Sequence, residues 1–341
     1  MTQKVTIHDV AQHAGVSVGS VSRALNDYPH VSEELKSRVL TAAADLGYEP
    51  GFLAHSLRRG RANSIGFLVG TIANPVIATI FEAAAEALAD SGYAITLVSS
   101  RNKADLDIAY LRLLASRQVS GLIVSSAAES QDRSSALINN LGIPTVMLDR
   151  SIPYGELIYA VQSDHLSGVK DAVHHLVKQG HRQIAFIGGP EKFYPTHERF
   201  RGYRKALEEA GLPLRQELIR FTSFTETDAL AEVLVLLRHQ PLPSALIVAG
   251  NIILIGALMA LQDRGLIVGR DMALVACDDM PLTKLHRPPI TVINRDLSLL
   301  GKTAARLLLR GIQDRKGRTD HIIKLPTKLI TRQSSNYAHR A

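Results

Sequence analysis

The stretch from Thr6 to Asn26, TIHDVAQHAGVSVGSVSRALN, decides how the rest of the chain is read. It has the pattern of two short helices joined at a glycine. Thr6 can cap the first, whose apolar positions Ile7, Val10, Ala11 and Ala14 recur at i, i+3, i+4 and i+7 and so share one face. Gly15 gives the backbone freedom that a tight reversal demands, and Val16 then turns inward. Ser17 can cap the second helix, with Val21 and Leu25 on its buried side. Val18, Gly19, Ser20, Ser22, Arg23 and Asn26 are left on the outward side. In a helix-turn-helix that side enters the DNA major groove. A plain buried helical hairpin uses small residues at its crossing in the same way, so the stretch alone leaves both readings open.

The residues downstream narrow the choice. Ser32 caps a third helix with Glu33 and Glu34 in its first turn, where the helix dipole favours negative charge. Leu35, Val39, Leu40, Ala43 and Leu46 give it an apolar stripe, and Gly47 suits its end. Residues 1–50 thus make a three-helix headpiece. In residues 51–62, GFLAHSL (51–57) can form one short helix, followed by Arg58, Arg59 and Arg61. A helix this short is marginal by itself. It suits a hinge that orders on DNA, with Leu57 wedged into a minor-groove step and arginines on phosphate. It equally suits a solvated linker with one exposed leucine.

At 341 residues the chain has room for two or three domains. Its 46% hydrophobic and 21% charged residues are ordinary for a soluble globular protein, and no apolar run is long enough to span a bilayer. Neither an export signal nor a membrane partner is therefore expected. The single cysteine, Cys277, excludes an internal disulfide and fits a reducing cytoplasm. The formal charge of +7 is no argument for DNA binding by itself, because residues 1–61 hold seven Lys/Arg against six Asp/Glu. The case must rest on where residues are placed.

From Ser64 the pattern becomes alternating strands and helices. SIGFLVG, YAITLVSS, GLIVSS (121–126) and PTVMLD (144–149) read as buried strands separated by amphipathic helices. A second block repeats the pattern with a strand at 158–161, QIAFIGG, SALIVAG and MALVACD, and helices at 168–179, 199–210, 227–237 and 253–264. Short apolar runs wound by crossover helices imply parallel sheets, here two α/β lobes with binding groups at the C-terminal ends of strands.

The order of these parts resembles the LacI/GalR family of bacterial transcription regulators over essentially the whole chain. The stretches that carry it are DVAQHAGVSVGSVSRALN (9–26), GIPTVMLDR (142–150), HLVKQGHRQIAFIGG (175–189), ERFRGYRKALEEAGLP (198–213), DDMPL (278–282), PPITVI (288–293) and LITRQSS (329–335). The resemblance implies a helix-turn-helix headpiece, a hinge helix and a two-lobed parallel α/β domain like that of periplasmic binding proteins. It also implies a homodimer, or a higher oligomer, reading a palindromic double-stranded operator under the control of a small-molecule effector. The effector domain is expected at 63–341. Its N-terminal lobe takes about 63–161 and 293–322, its C-terminal lobe about 162–292 and 323–341, and the chain crosses between lobes near Val161, Val292 and Ile322.

By the same resemblance Val18, Gly19 and Arg23 sit at base-reading positions, with Thr6, Ser17, Ser20, Ser22 and Asn26 near phosphate or base edges. Ala54, Leu57 and Arg58 match the hinge. Since Val18 and Gly19 offer no side-chain hydrogen bond, direct readout leans on Arg23 and on apolar contact with thymine methyls. Asp149, Arg199, Asn251 and Asp278 match effector contacts, joined by Thr71, Asn74, Ser126 and Phe193 at the cleft. These groups suit hydroxyls or a carboxylate, and a sugar or sugar derivative is expected. Two departures bear on the effector. GTIANPVI (70–77) lacks the family's aromatic after Asn-Pro, leaving Phe193 or Tyr194 to supply a ring face, and Ile252 replaces a common aspartate.

Other chemistries are poorly supported. His174, His175 and His181 lack the spacing and companions of a metal site, and Gly188-Gly189-Pro190 reads as a turn rather than a phosphate cradle. No nucleophile–base set and no cofactor motif is found, so an enzyme is not expected. The competing reading is a small-molecule binding protein or α/β enzyme with a non-functional headpiece.

Overall fold

The computed structural model describes residues 5–25, 28, 31–48, 62–126, 133–151, 155–314 and 322–336. Two compact units emerge, one essentially of the N-terminal helices and one of two β-sheets.

In the first unit α1 spans Ile7–Ala14, α2 Val18–Leu25 and α3 Glu33–Asp45. The Asp9 carboxylate accepts from both the amide and the hydroxyl of Thr6, each at 2.7 Å, and so fixes the first turn of α1. Gly15 closes that helix in the left-handed region at φ 63°, where a Cβ is disfavoured. Val10, Ala11, Ala14, Val21, Ala24, Val39, Ala42 and Ala43 are buried together, with Ile7, Val16, Leu25 and Leu35 packed around them. Two expectations need correction. Leu40 is 48% exposed, because the inward face of α3 runs through 35, 39, 42, 43 and 46, and position 40 falls off it. Val18, expected outward, is half-buried against the same core.

The second unit alternates strands and helices. In order they are β1 Ala62–Val69, α4 Pro75–Leu88, β2 Ala94–Ser99, α5 Ala104–Ser116, β3 Val119–Ser125, α6 Arg133–Leu141, β4 Thr145–Leu148 and β5 Ile158–Ser163. Then come α7 His165–Lys178, β6 Ile184–Gly188, α8 Tyr194–Glu209, β7 Ile219–Phe221, α9 Glu226–Leu236, β8 Ala245–Ala249 and α10 Asn251–Asp263. The chain ends with β9 Ala273–Cys277, α11 Pro281–Leu285, β10 Thr291–Arg295, α12 Leu297–Gln313, β11 Ile322–Leu325 and β12 Thr327–Ile330.

One sheet has the order β11-β5-β4-β3-β1-β2 and the other β12-β10-β9-β8-β6-β7, so each lobe repeats the other's topology. The pairs β1–β2, β3–β4, β4–β5, β5–β11, β6–β7, β6–β8, β8–β9 and β9–β10 are parallel, whereas β12 runs antiparallel to β10. The central strands are buried on both faces, as crossover helices require. The chain changes sheet at Asp164, Asp296 and Pro326, three to four residues beyond the positions read from sequence. At the first two an aspartate ends the strand and caps a helix: Asp164 accepts from the Ser167 amide at 3.3 Å and Asp296 from the Leu299 amide at 2.8 Å.

Helix α8 starts five residues before its expected position, with Pro195 in the first turn where a missing N–H is harmless. Helix α12, absent from the sequence reading, crosses α4 closely. A Cβ on Gly301 would lie 2.3 Å from the Ile80 carbonyl oxygen, so the two helix backbones meet through this glycine. Gly301→Ala is expected to cost about 1–3 kcal/mol, read as a lower urea midpoint with an unchanged m-value.

Candidate functional site

The recognition surface is built by local rules. Ser17 accepts from the Ser20 amide at 3.1 Å and its hydroxyl lies 2.9 Å from that of Ser20, so both serines are used in starting α2. Arg23 is exposed, with Nε 3.3 Å from the Gly19 carbonyl, and extends from the face that Gly19 leaves bare. Ser22 is half-buried beside it. Thr6 is exposed but bonded to Asp9. Asn26, Ala54, Leu57 and Arg58 lie outside the described residues.

In the second unit a cavity of about 120 Å³ sits at the C-terminal ends of strands from both sheets. Seven of the eight expected effector positions line it: Thr71, Asn74, Asp149, Phe193, Arg199, Asn251 and Asp278. Ser126 does not. Strand β3 continues through Ser125, which lines the cavity, while Ser126 is buried and its carbonyl accepts from Arg150 Nε. Phe193 brings a ring to the wall, edge-on to Phe224 at 5.4 Å, and the Arg150 guanidinium lies 5.6 Å from its centroid. Tyr194 is used otherwise, donating to Gln162 Oε1 at 2.9 Å across the lobes.

Arg295, at the end of β10, is the group that sequence reasoning missed. Its Nε donates to Asp278 Oδ1 at 2.6 Å and its Nη1 to Asp149 Oδ2, so one guanidinium joins carboxylates from the two lobes. Asp149 also accepts from the Ser163 amide at 2.6 Å and the Ser163 hydroxyl at 3.3 Å, and His165 Nε2 lies 3.2 Å from its Oδ1. The two aspartates occupy equivalent places, one residue past β4 and β9. Both have left-handed φ, 46° and 70°, and both amides donate to the neighbouring strand at 3.0 Å. Such a backbone costs on the order of 1 kcal/mol each and is held by these bonds. A second link joins the lobes where Asn251 Nδ2 donates to Asn74 Oδ1 at 2.8 Å, an oxygen that also accepts from the Val76 amide at 3.0 Å to cap α4.

The electrostatics follow from burial and pairing. Burial opposes ionisation of Asp149, but the His165 ring, the Arg295 guanidinium and the Ser163 amide outweigh it, and the carboxyl sits well below the usual range. Asp278 is lowered too, Arg295 and Arg199 overcoming its burial. His165 is pushed down to about 4, chiefly by burial. Among the described residues no cluster of three or more His, Cys, Asp or Glu could hold a metal, and no helix is long and apolar enough to cross a membrane.

Comparison with known proteins respects this division of the chain. Residues 6–51 match the model for bacterial regulatory proteins of the lacI family, and residues 173–335 match a periplasmic binding protein-like domain. The HTH-type transcriptional repressor PurR of Histophilus somni is 31% identical over 329 residues, covering 96% of this chain and 98% of that protein. The chain belongs to the lacI family. PurR of Yersinia pestis is likewise 31% identical, with 96% of each chain covered. Among solved structures, the lac repressor dimer bound to operator and the anti-inducer ONPF matches with TM-score 0.85 at 28% identity, over 98% of this chain and 99% of that one. The complex of the transcriptional regulator CelR with cellobiose matches with TM-score 0.74 at 29% identity, over 97% and 99%. This lacI-family chain is therefore a DNA-binding transcriptional regulator with a ligand-binding domain, and its relatives are repressors rather than enzymes.

His165 makes the stability of this lacI-family protein depend on pH. Between its ordinary value of 6.5 and its folded value of about 4, the unfolded chain binds a proton that the folded chain does not. Stability therefore rises with pH through that window, by an amount on the order of 3 kcal/mol. Asp149 titrates below the window and does not contribute to the slope. Urea unfolding at pH 7 and pH 5 is expected to show roughly half of this loss in the wild type, since pH 5 lies inside the window, and a smaller one in His165→Asn.

Proposed function

We propose that the protein is a repressor that binds a palindromic operator as a homodimer in the bacterial cytoplasm. Its control would come from a small molecule, a sugar or sugar derivative, held in the cavity between the lobes. The observation that carries this reading is that two contacts between the lobes are made by residues lining the cavity, Arg295 to Asp149 and Asn251 to Asn74. A ligand seated there changes the free energy of one lobe arrangement relative to another. Such a differential is what a ligand needs in order to shift a conformational equilibrium and, through linkage, the affinity for DNA. The lac repressor dimer on operator, the CelR–cellobiose complex and the PurR repressors support the same assignment.

Helix α2 is the reading element, with Arg23 the side chain able to make a bidentate contact to a guanine edge. Ser17, Ser20 and Ser22 flank it for phosphate, and the hinge residues Ala54, Leu57 and Arg58 enter the minor groove. Arg23→Ala is expected to weaken binding to the selected operator by about 1–3 kcal/mol while leaving effector binding intact, as measured by fluorescence anisotropy at fixed salt. Equal operator affinity for the two proteins would remove the headpiece from this account.

The dimer contact we assign to the apolar groove between α10 and α11. Met259, Ile267 and Leu282 are exposed along it, and Leu285, at the end of α11, is 71% exposed, the kind of open apolar surface that marks a contact. Leu285→Asp is expected to shift sedimentation toward the monomer and to weaken operator binding together with it. The effector itself is sought by thermal shift across sugars, sugar acids, polyols and nucleosides, followed by operator binding with each hit.

A further inference from the structure

We infer that the effector carries an anionic group, a carboxylate or a phosphate, that pairs with the guanidinium of Arg199. The inference rests on the reading that the cavity is the effector site, and it names the chemistry of the ligand. Five charged side chains line the cavity, Arg150, Arg199 and Arg295 against Asp149 and Asp278, which leaves a formal charge of +1. Arg295 takes both carboxylates. Asp149 is further occupied by Ser163 and His165.

Arg199 makes no such direct pair, although its charge still acts on Asp278. Among the described residues no carboxylate lies within ion-pair distance of it, and its one hydrogen bond runs from Nη1 to the Ala249 carbonyl at 2.9 Å. Its Nε is buried with no partner, on a side chain only 7% exposed. A buried donor without an acceptor costs about 1–3 kcal/mol, more for a charged group, so an acceptor arriving in the cavity is strongly favoured.

The backbone acts in the same sense. Helices α8 and α10 both begin at this cavity, and neither start has a side-chain cap hydrogen bond. Thr196 from the first turn of α8 and Asn251 from that of α10 line the wall. Each helix start carries a partial positive charge equivalent to about half a unit, favouring an anion. The second oxygen of Asp278, which carries no hydrogen bond among the described residues, remains for a hydroxyl. The combination describes a hydroxylated acid: a sugar acid or a sugar phosphate.

The test uses the full-length protein and matched pairs at equal ionic strength: gluconate with glucose, galacturonate with galactose, ribose 5-phosphate with ribose. Thermal shift and calorimetry are expected to show binding of at least one acid and none of its neutral parent at the same concentration. The carboxylate and phosphate arms tell which anion it is. Arg199→Gln should weaken the acid roughly 30-fold or more. Arg199→Lys, which keeps the charge, should retain the preference for acid over neutral and serves if the glutamine variant fails to fold. A neutral sugar that binds as tightly as its acid, wild-type affinity in Arg199→Gln, or no binding by any acid overturns the inference. Operator anisotropy separates it from the regulatory reading. An acid that binds through Arg199 without moving operator affinity refutes the regulation and leaves this inference standing. A neutral sugar that binds and moves it does the reverse.

Discussion

One guanidinium governs the geometry of the larger unit. Arg295 leaves the end of β10 in one lobe and reaches a carboxylate at the end of β9 and another at the end of β4, in the opposite lobe. All three side chains are more than nine-tenths buried, so the charges have been taken from water and depend on one another. An ion triad of this kind is weak evidence of net stability, yet removing one member leaves an uncompensated buried charge, at a cost of about 3–5 kcal/mol. The spacing of the lobes at the cavity is therefore set by a contact that tolerates little drift. The left-handed aspartates, the Ser163 amide and the neutral His165 ring are the supports that keep the carboxylates in place.

Much of the fold was legible because its signals are local. The headpiece follows from an i, i+3, i+4 stripe, the capping hydroxyls of Thr6, Ser17 and Ser32 and a glycine at the reversal, all within some forty residues. The buried parallel strands follow from continuous apolar runs such as GLIVSS and SALIVAG. Elements whose identity depends on distant partners were less readable. IIKLPTKLI (322–330) splits at Pro326 into two four-residue edge strands that belong to different sheets, and no periodicity in nine residues announces that. Helix α12, which follows the second passage between lobes at Asp296, is amphipathic by its own pattern, but it was missed, and its packing is decided against the distant α4. Leu40 shows the limit of stripe counting, since a helix face of small residues, Ala42 and Ala43, buries as well as one of leucines.

The cavity divides along the same line. Asp149 and Asp278 stand one residue past apolar strands, and Asn251 opens a helix, so strand ends and helix starts point to them. Ser126 failed because the strand ends at Ser125, the residue that lines the cavity, and the boundary was off by one. Arg295 carried no such signal. An arginine after a strand reads as a solvated end, and its partner Asp149 lies 146 residues away in sequence. Only the repeated topology of the two lobes, which places β10 where β5 stands in the other, brings it to the cleft.

The amide link between the lobes has an uneven build. Asn74 uses one oxygen twice, for the start of α4 and for Asn251. If the lobes part, α4 keeps its cap and the first lobe is undisturbed, while a single uncharged donor on the opposite side turns to water. Such a clasp undoes without loosening the helix it is mounted on, and because neither amide carries charge, salt and acidity have little hold over it.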